Sequence, residues 1–252
     1  MRIGPQMRDV PTMCRVVSAL CVSIWLISSQ VPALASPPPD GAEVKVEHLA
    51  FSTDDDARIY ADMYGTGDRG VVLAHGGRFT KESWKPQAEQ LARAGFHVLA
   101  FDFRGFGRSH GPGESDMFTA PMHLDILAAV RFLRRNGART VAVIGASFGG
   151  AAAAAASIAS RPGEIDRLIL LAAGGNGAAE AIKSPLLEII ARDDANDEGP
   201  RLPRIRTWFD KVRQPKELLI LDGSAHAQFL FQTANGPRLM TEIIRFLRAG
   251  TK

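Results

Sequence analysis

Past residue 21 the sequence contains no cysteine. Its two thiols, Cys14 and Cys21, both fall within the first 35 residues. The rest of the chain therefore has no disulfide, no free thiol and no cysteine metal site. A long apolar run is missing too. The stretch 16–27 (VVSALCVSIWLI) has 12 residues, short of the ~20 that span a bilayer as a helix. Charge of one sign is also scarce. The formal +3 loses three arginines (Arg2, Arg8, Arg15) and one aspartate (Asp9) with the first 35 residues, leaving +1. Such balance offers no electrostatic footprint for nucleic acid or an anionic membrane. No internal repeat and no second domain is evident.

What the first 35 residues do contain is a leader. Arg8 and Arg15 precede the apolar run, and Ala33-Leu34-Ala35 follows Pro32 as a small-x-small cleavage site. Residues 1–35 read as a secretory signal peptide cut after Ala35, which implies a secreted or periplasmic protein. An uncleaved N-terminal membrane anchor is the alternative. Met7 and Met13 are alternative starts, and the bulky Leu20 before Cys21 speaks against lipidation. Residues 36–42, opening with Ser36-Pro37-Pro38-Pro39, form an extended Pro-rich segment. Residues 43–252 fit one domain.

That domain alternates short apolar runs with helical ones. Segments 43–51 and 57–64 read as a hairpin turning at Asp54-Asp55-Asp56. Segments 70–75, 96–101, 140–145, 168–173, 186–191 and 217–221 are near-continuous apolar runs, the signature of strands buried on both faces of a mostly parallel sheet. Between them, 82–94, 122–135, 149–160, 202–212 and 237–248 are helix-like. Leu124, Leu127, Ala128 and Phe132 recur at helical spacing, as do Ile243, Ile244 and Leu247. The pattern predicts a doubly wound α/β sandwich of about eight strands with helices on both faces. Functional residues should then lie beyond the carboxyl ends of the strands.

One turn there carries chemistry. Gly145-Ala146-Ser147-Phe148-Gly149-Gly150 is G-x-S-x-G between a strand and a helix, the arrangement that exposes a serine hydroxyl on a tight, strained turn. Small neighbours are needed because the helix starts almost against the strand, and its N-terminal amides face the place where an oxyanion would form. A glycine-rich strand–helix turn without chemistry is the bland alternative.

Together with His75-Gly76-Gly77 at the end of one strand and Asp102-Phe103-Arg104-Gly105-Phe106-Gly107-Arg108-Ser109 after the next, this turn resembles the α/β-hydrolase family over about residues 44–248. The resemblance implies a Ser, acid, His chain order. His48, His75, His97, His110 and His123 all precede Ser147, so only His226 can complete it. It lies in a small-residue loop after the last strand with no hydrophobic run to pack into. Asp193 and Asp194 both follow strand 186–191, and alignment with the family favours Asp194 as the acid. Phe148 supplies one oxyanion amide, and Gly77 the other, or Arg78 if the loop is shifted by one residue.

The implied reaction is hydrolysis of a small-molecule carboxylic ester through an acyl-enzyme, with no cofactor and no metal. A thioesterase, peptidase or lactone hydrolase would use the same triad, and a catalytically idle binding protein is the alternative of another class. Dienelactone hydrolases of the usual kind carry a cysteine nucleophile, where this chain has serine. Asp197 and Glu198 lack the ligand spacing of a calcium loop and read as a solvated acidic turn before a helix. His75 is expected to fasten its own loop, and Arg104 to tie loops together through Asp102 or a carbonyl. Arg78, Phe79, Trp84, Phe118 and Phe229 are either pocket or core. Only about a dozen residues separate strands 168–173 and 186–191, too few for a helical cap, so the site should be open and favour short or accessible acyl groups. Residues 117–121 could supply no more than a small flap. Nothing in the sequence fixes an oligomeric state.

Overall fold

The computed structural model describes residues 44–174 and 177–249, with Met1 and Gly4. Apart from Met1 and Gly4, the residues read as a leader, with their apolar run and expected cleavage point, and the Pro-rich segment lie outside the described residues. The chain divides into two units, Met1–Ala33 and Leu34–Lys252, and the elements that follow belong to the second.

In chain order it contains β1 (Val46–Ser52), β2 (Arg58–Tyr64), β3 (Arg69–Ala74), α1 (Lys85–Arg93), β4 (His97–Phe101) and α2 (Met122–Arg135). Then come β5 (Thr140–Ala146), α3 (Phe148–Ala159), β6 (Arg167–Leu171) and β7 (Leu186–Ala191). The short β8 (Ala195–Asn196) and β9 (Gly199–Pro200), then α4 (Arg201–Asp210), β10 (Lys216–Leu221) and α5 (Gly236–Arg248) complete it. Eight strands form one sheet in the order β1-β2-β4-β3-β5-β6-β7-β10. β1 and β2 pair antiparallel, as do β2 and β4, and every other pairing is parallel.

β5 illustrates why these sequences make such a sheet. Val141 and Val143 pack into the layer of α2 and α3, while Ala142, Ile144 and Ala146 pack into the layer of α1 and α5. A strand covered on both faces must be apolar at every position, which removes polar alternation. Each fully buried Leu, Ile or Val contributes roughly 1.5–3 kcal/mol of transfer free energy. The alanines of α3 (Ala152, Ala153, Ala154, Ala156) are buried, and their small side chains bring that helix close to the sheet. Helix α1 starts later than its apolar pattern suggests, because a 3₁₀ turn at Lys81–Trp84 precedes it and Pro86 occupies its first turn.

The chain leaves β3 for β4 on one side and then crosses to β5 on the other. This reversal opens a crevice at the carboxyl ends of β3 and β5, where ligands bind in open α/β sheets. Between β6 and β7 the described residues include a 3₁₀ turn, Ala179–Ala181, and no cap domain occurs among the described residues. Asp197 and Glu198 form an exposed turn ahead of α4, as expected, and the residues flanking them add a short pairing, the β8–β9 hairpin, with Ala195 opposite Pro200. Glu198 there pairs with Arg204, and no cluster of metal-ligating side chains occurs among the described residues.

Candidate active site

Ser147 stands between β5 and α3 with φ +50° and ψ −115°, backbone that an L residue adopts only under restraint. The restraint comes from all sides. The Ser147 N–H donates to the Leu171 carbonyl at 2.9 Å, and the Ser147 carbonyl accepts from the amides of Gly150 and Ala151. A methyl group at Gly149 would lie 2.4 Å from the His75 carbonyl oxygen, and one at Gly145 would lie 2.5 Å from the Gly149 oxygen. The motif glycines are therefore steric requirements of a helix pressed against two strands. Among the described residues, Asp56, Ser147, Ala172 and Ala227 are the non-glycine residues with positive φ. Three of these four follow β5, β6 and β10 or their end loops, so backbone strain concentrates at the carboxyl edge of the sheet.

The ends of the strands bring the predicted site residues together. Ala191 of β7 pairs with Leu221 of β10, which sets the loops carrying Asp194 and His226 side by side. His226 Nε2 lies 2.8 Å from Ser147 Oγ, and its Nδ1 lies 2.7 Å from Asp194 Oδ2. Asp194 is 1% exposed and His226 28%, so the carboxylate is shielded while the imidazole meets the crevice. A buried carboxylate on Nδ1–H fixes the tautomer that leaves Nε2 free to accept the serine proton. Asp193 is exposed, and its amide donates to the Gly223 carbonyl at 2.9 Å.

Gly77 lies beside the residue after the serine. A methyl group on Gly77 would sit 3.5 Å from Phe148 Cβ and 2.8 Å from Met117 Cε. The predicted oxyanion pair is thus adjacent, and Met117, at the start of the expected flap, covers Gly77. A side chain there would have only the flexible end of Met117 to displace. His75 is fully buried with Nδ1 2.9 Å from the Gly76 carbonyl, and its Nε2 accepts the Phe103 N–H at 3.3 Å. Burial lowers its pKa to about 4, so this imidazole is neutral and fastens the loop, as expected.

Several residues belong to the site's support without having been legible in the sequence. Gln228, two residues past His226, is buried; its Oε1 accepts the Gly76 N–H at 2.7 Å and its Nε2 donates to Ser83 Oγ at 2.8 Å. It locks the histidine loop to the glycine loop. Arg104 ties loops together through a carbonyl, that of Pro112, as anticipated, and through Asp125 and Asp55, with Asp102 not among its partners. Asp102 instead accepts the Lys81 amide at 2.7 Å; burial raises its pKa, while that amide and the Lys81 ammonium oppose the rise. Among the aromatics, Trp84 is core, whereas Phe118 and Phe229 are exposed. Phe229 packs on Phe79 with ring centroids 5.2 Å apart.

Known proteins of this build place the chain. A family model described as alpha/beta hydrolase fold matches residues 70–219. The bifunctional epoxide hydrolase 2 of Sus scrofa is 33% identical over 123 residues, covering 48% of this chain and 21% of that protein. The non-heme haloperoxidase of Rhodococcus erythropolis is 28% identical over 189 residues, covering 74% of this chain and 58% of that one. This chain thus spans a fifth to little more than half of the length of these relatives. An esterase structure from Pyrococcus furiosus superposes with a TM-score of 0.71 at 21% identity, covering 81% of this chain and 92% of the other. A dienelactone hydrolase from Anabaena variabilis gives 0.64 at 20%, covering 81% and 95%. With the eight-stranded sheet, the strained serine turn and a family match over more than half of its residues, the chain belongs to the alpha/beta hydrolase family.

Proposed function

We propose that this hydrolase cleaves carboxylic esters through an acyl-enzyme formed on Ser147. The carrying observation is the relay in which Ser147 Oγ, His226 and buried Asp194 are joined at 2.8 and 2.7 Å. In this reading His226 takes the serine proton as Oγ attacks the carbonyl carbon, and Asp194 stabilises the imidazolium that forms. The oxyanion is received by the amides of Phe148 and Gly77. His226 then returns its proton to the leaving alcohol, and a water activated by the same imidazole releases the acid.

The epoxide hydrolases among the relatives suggest another bond, and the nucleophile argues against it. A serine oxygen opening an epoxide would leave an alkyl ether, which His226 and water cannot cleave. The same oxygen attacking an ester leaves an acyl ester, which they can. Thioesters, lactones and peptides share that logic and differ in leaving group. With no cap among the described residues, and with Met117 close to Gly77, the acyl side favours short chains.

A p-nitrophenyl ester series is expected to peak at acetyl to butyryl, with weaker turnover of thioester, lactone and peptide substrates. A peak at long acyl chains contradicts the open-site reading. Absence of turnover on every class by folded protein favours a binding module. We place the enzyme outside the cytoplasm, released by cleavage after Ala35. A mature N-terminus at Ser36 would agree, and a full-length, membrane-retained chain would favour the uncleaved anchor.

A further inference from the structure

The second oxygen of Asp194 has no role in the relay just described, and its surroundings are unusual. Asp194 Oδ1 is buried and has no hydrogen-bond partner among the described residues; the same holds for Arg201 Nε. These two atoms face each other at 3.3 Å. The distance makes an ion pair, yet the N–H is not aligned on the oxygen. The backbone has already fixed this meeting: the Arg201 N–H donates to the Asp194 carbonyl at 2.8 Å. The β8–β9 hairpin closes the six residues between them and starts α4 at Arg201. Arg201 is thus delivered to Asp194 by main chain, independently of its guanidinium.

We propose that Arg201 is a positioning residue for this hydrolase, its charge tempering Asp194 and so setting the pH at which His226 can accept the serine proton. The proposal rests on the reading of Ser147, His226 and Asp194 above. The physical argument compares two limits. A guanidinium bonded bidentately to Asp194 would compete for the carboxylate and loosen its hold on the imidazole. A buried carboxylate with no cation nearby would bind the imidazolium too firmly, keeping the base protonated to higher pH. An unaligned cation at 3.3 Å lies between these. The other charged groups on the loops after β7 and β10, Arg192, Asp193, Asp197, Glu198 and Asp222, are exposed. Glu198 is exposed and paired with Arg204. Arg192 and Asp222, on the loops after β7 and β10, are exposed and pair with each other at 3.6 Å; solvent and salt screen both pairs.

The test is the pH profile of kcat/KM for p-nitrophenyl acetate in wild type, Arg201→Gln, Arg201→Met and Arg201→Lys. Gln retains an N–H for Oδ1 but no charge, so it stands in should the Met variant fail to fold. Both neutral variants should move the acidic limb upward by about half a pH unit or more, a roughly threefold or larger loss on the acid side, with KM unchanged. Lys should return the limb to the wild-type position. Superimposed limbs, or a limb moved downward in the neutral variants of an active wild type, overturn the role of Arg201. A wild type inert to esters and to a fluorophosphonate overturns instead the hydrolytic reading beneath it.

Discussion

Arg104 and Arg201 each face a buried aspartate, and they do so in opposite ways. Arg104 is fully buried and spends its donors on Asp125 (2.6 and 2.9 Å), Asp55 (2.5 and 2.9 Å) and the Pro112 carbonyl (2.9 Å). Asp125 Oδ2 also accepts the Arg104 amide at 3.0 Å. Every charge there is compensated, and the loops after β1, β4 and the start of α2 are bound into one unit. Around Asp194 the same residue types leave an oxygen and a guanidinium nitrogen unaligned at 3.3 Å. A closed network suits rigidity, because a buried charge is tolerable only when its partners are complete. An open one suits chemistry, because a carboxylate committed to arginine has less to offer a histidine. If Asp194 serves the proposed relay, fold and catalysis place different demands on one pair of side chains.

The sharpest way to break this contrast is to remove charge from each aspartate in turn. Asp194→Asn should lower kcat by roughly 10⁴-fold with little change in Tm, whereas Asp193→Asn, on an exposed neighbour, should stay within about twofold. Equal losses in the two variants would remove Asp194 from its role. Asp125→Ala should do the reverse: urea unfolding should show a loss of about 3–5 kcal/mol, since Arg104 is left buried without its main partner. Turnover per folded molecule should change far less.

A third buried carboxyl has no arginine partner among the described residues. Glu188 of β7 is fully buried; its Oε1 accepts the Ala173 amide at 3.2 Å and its Oε2 has no hydrogen-bond partner among the described residues. Burial pushes its pKa up to about 8, against smaller lowering by the Ala173 and Gly174 amides. In this pocket the native state keeps its proton while the unfolded chain loses it above about 4.5. Stability should therefore fall as pH rises from about 4.5 to about 8 and level off above that. Glu188→Gln should remove much of this slope, gaining on the order of a few kcal/mol at pH 8 and almost nothing at pH 4. Parallel Tm profiles for the two proteins would contradict it.

The sequence disclosed what local rules dictate. Strands buried on both faces had to be apolar throughout, so β3, β5, β6 and β7 stood out, with β7 matching its expected limits at both ends. Ser147 was visible because its turn cannot form without small neighbours, and His226 because no other histidine follows it. Partners chosen across the fold were not visible. Arg104 stands two positions from Asp102 in the motif, yet the tertiary arrangement hands it Asp125 and Asp55. Gln228 meets Gly76 across 152 positions, a separation that no local pattern encodes. The β8–β9 hairpin has strands of two residues each, too short to show a period, and without it the approach of Arg201 to Asp194 could not be foreseen. Ends of strands could be read, whereas the side chains that tie those ends together depend on the assembled sheet.

The central claim is that Ser147 is a nucleophile made reactive by His226. Purified protein treated with a fluorophosphonate and examined by intact and peptide mass tests it most directly. One adduct should appear, on the peptide containing Ser147; it should be absent in Ser147→Ala and form at least 10³-fold more slowly in His226→Ala, an order of magnitude in keeping with loss of a triad base. Labelling that survives Ser147→Ala unchanged, or no labelling of a wild type that hydrolyses esters, would contradict it.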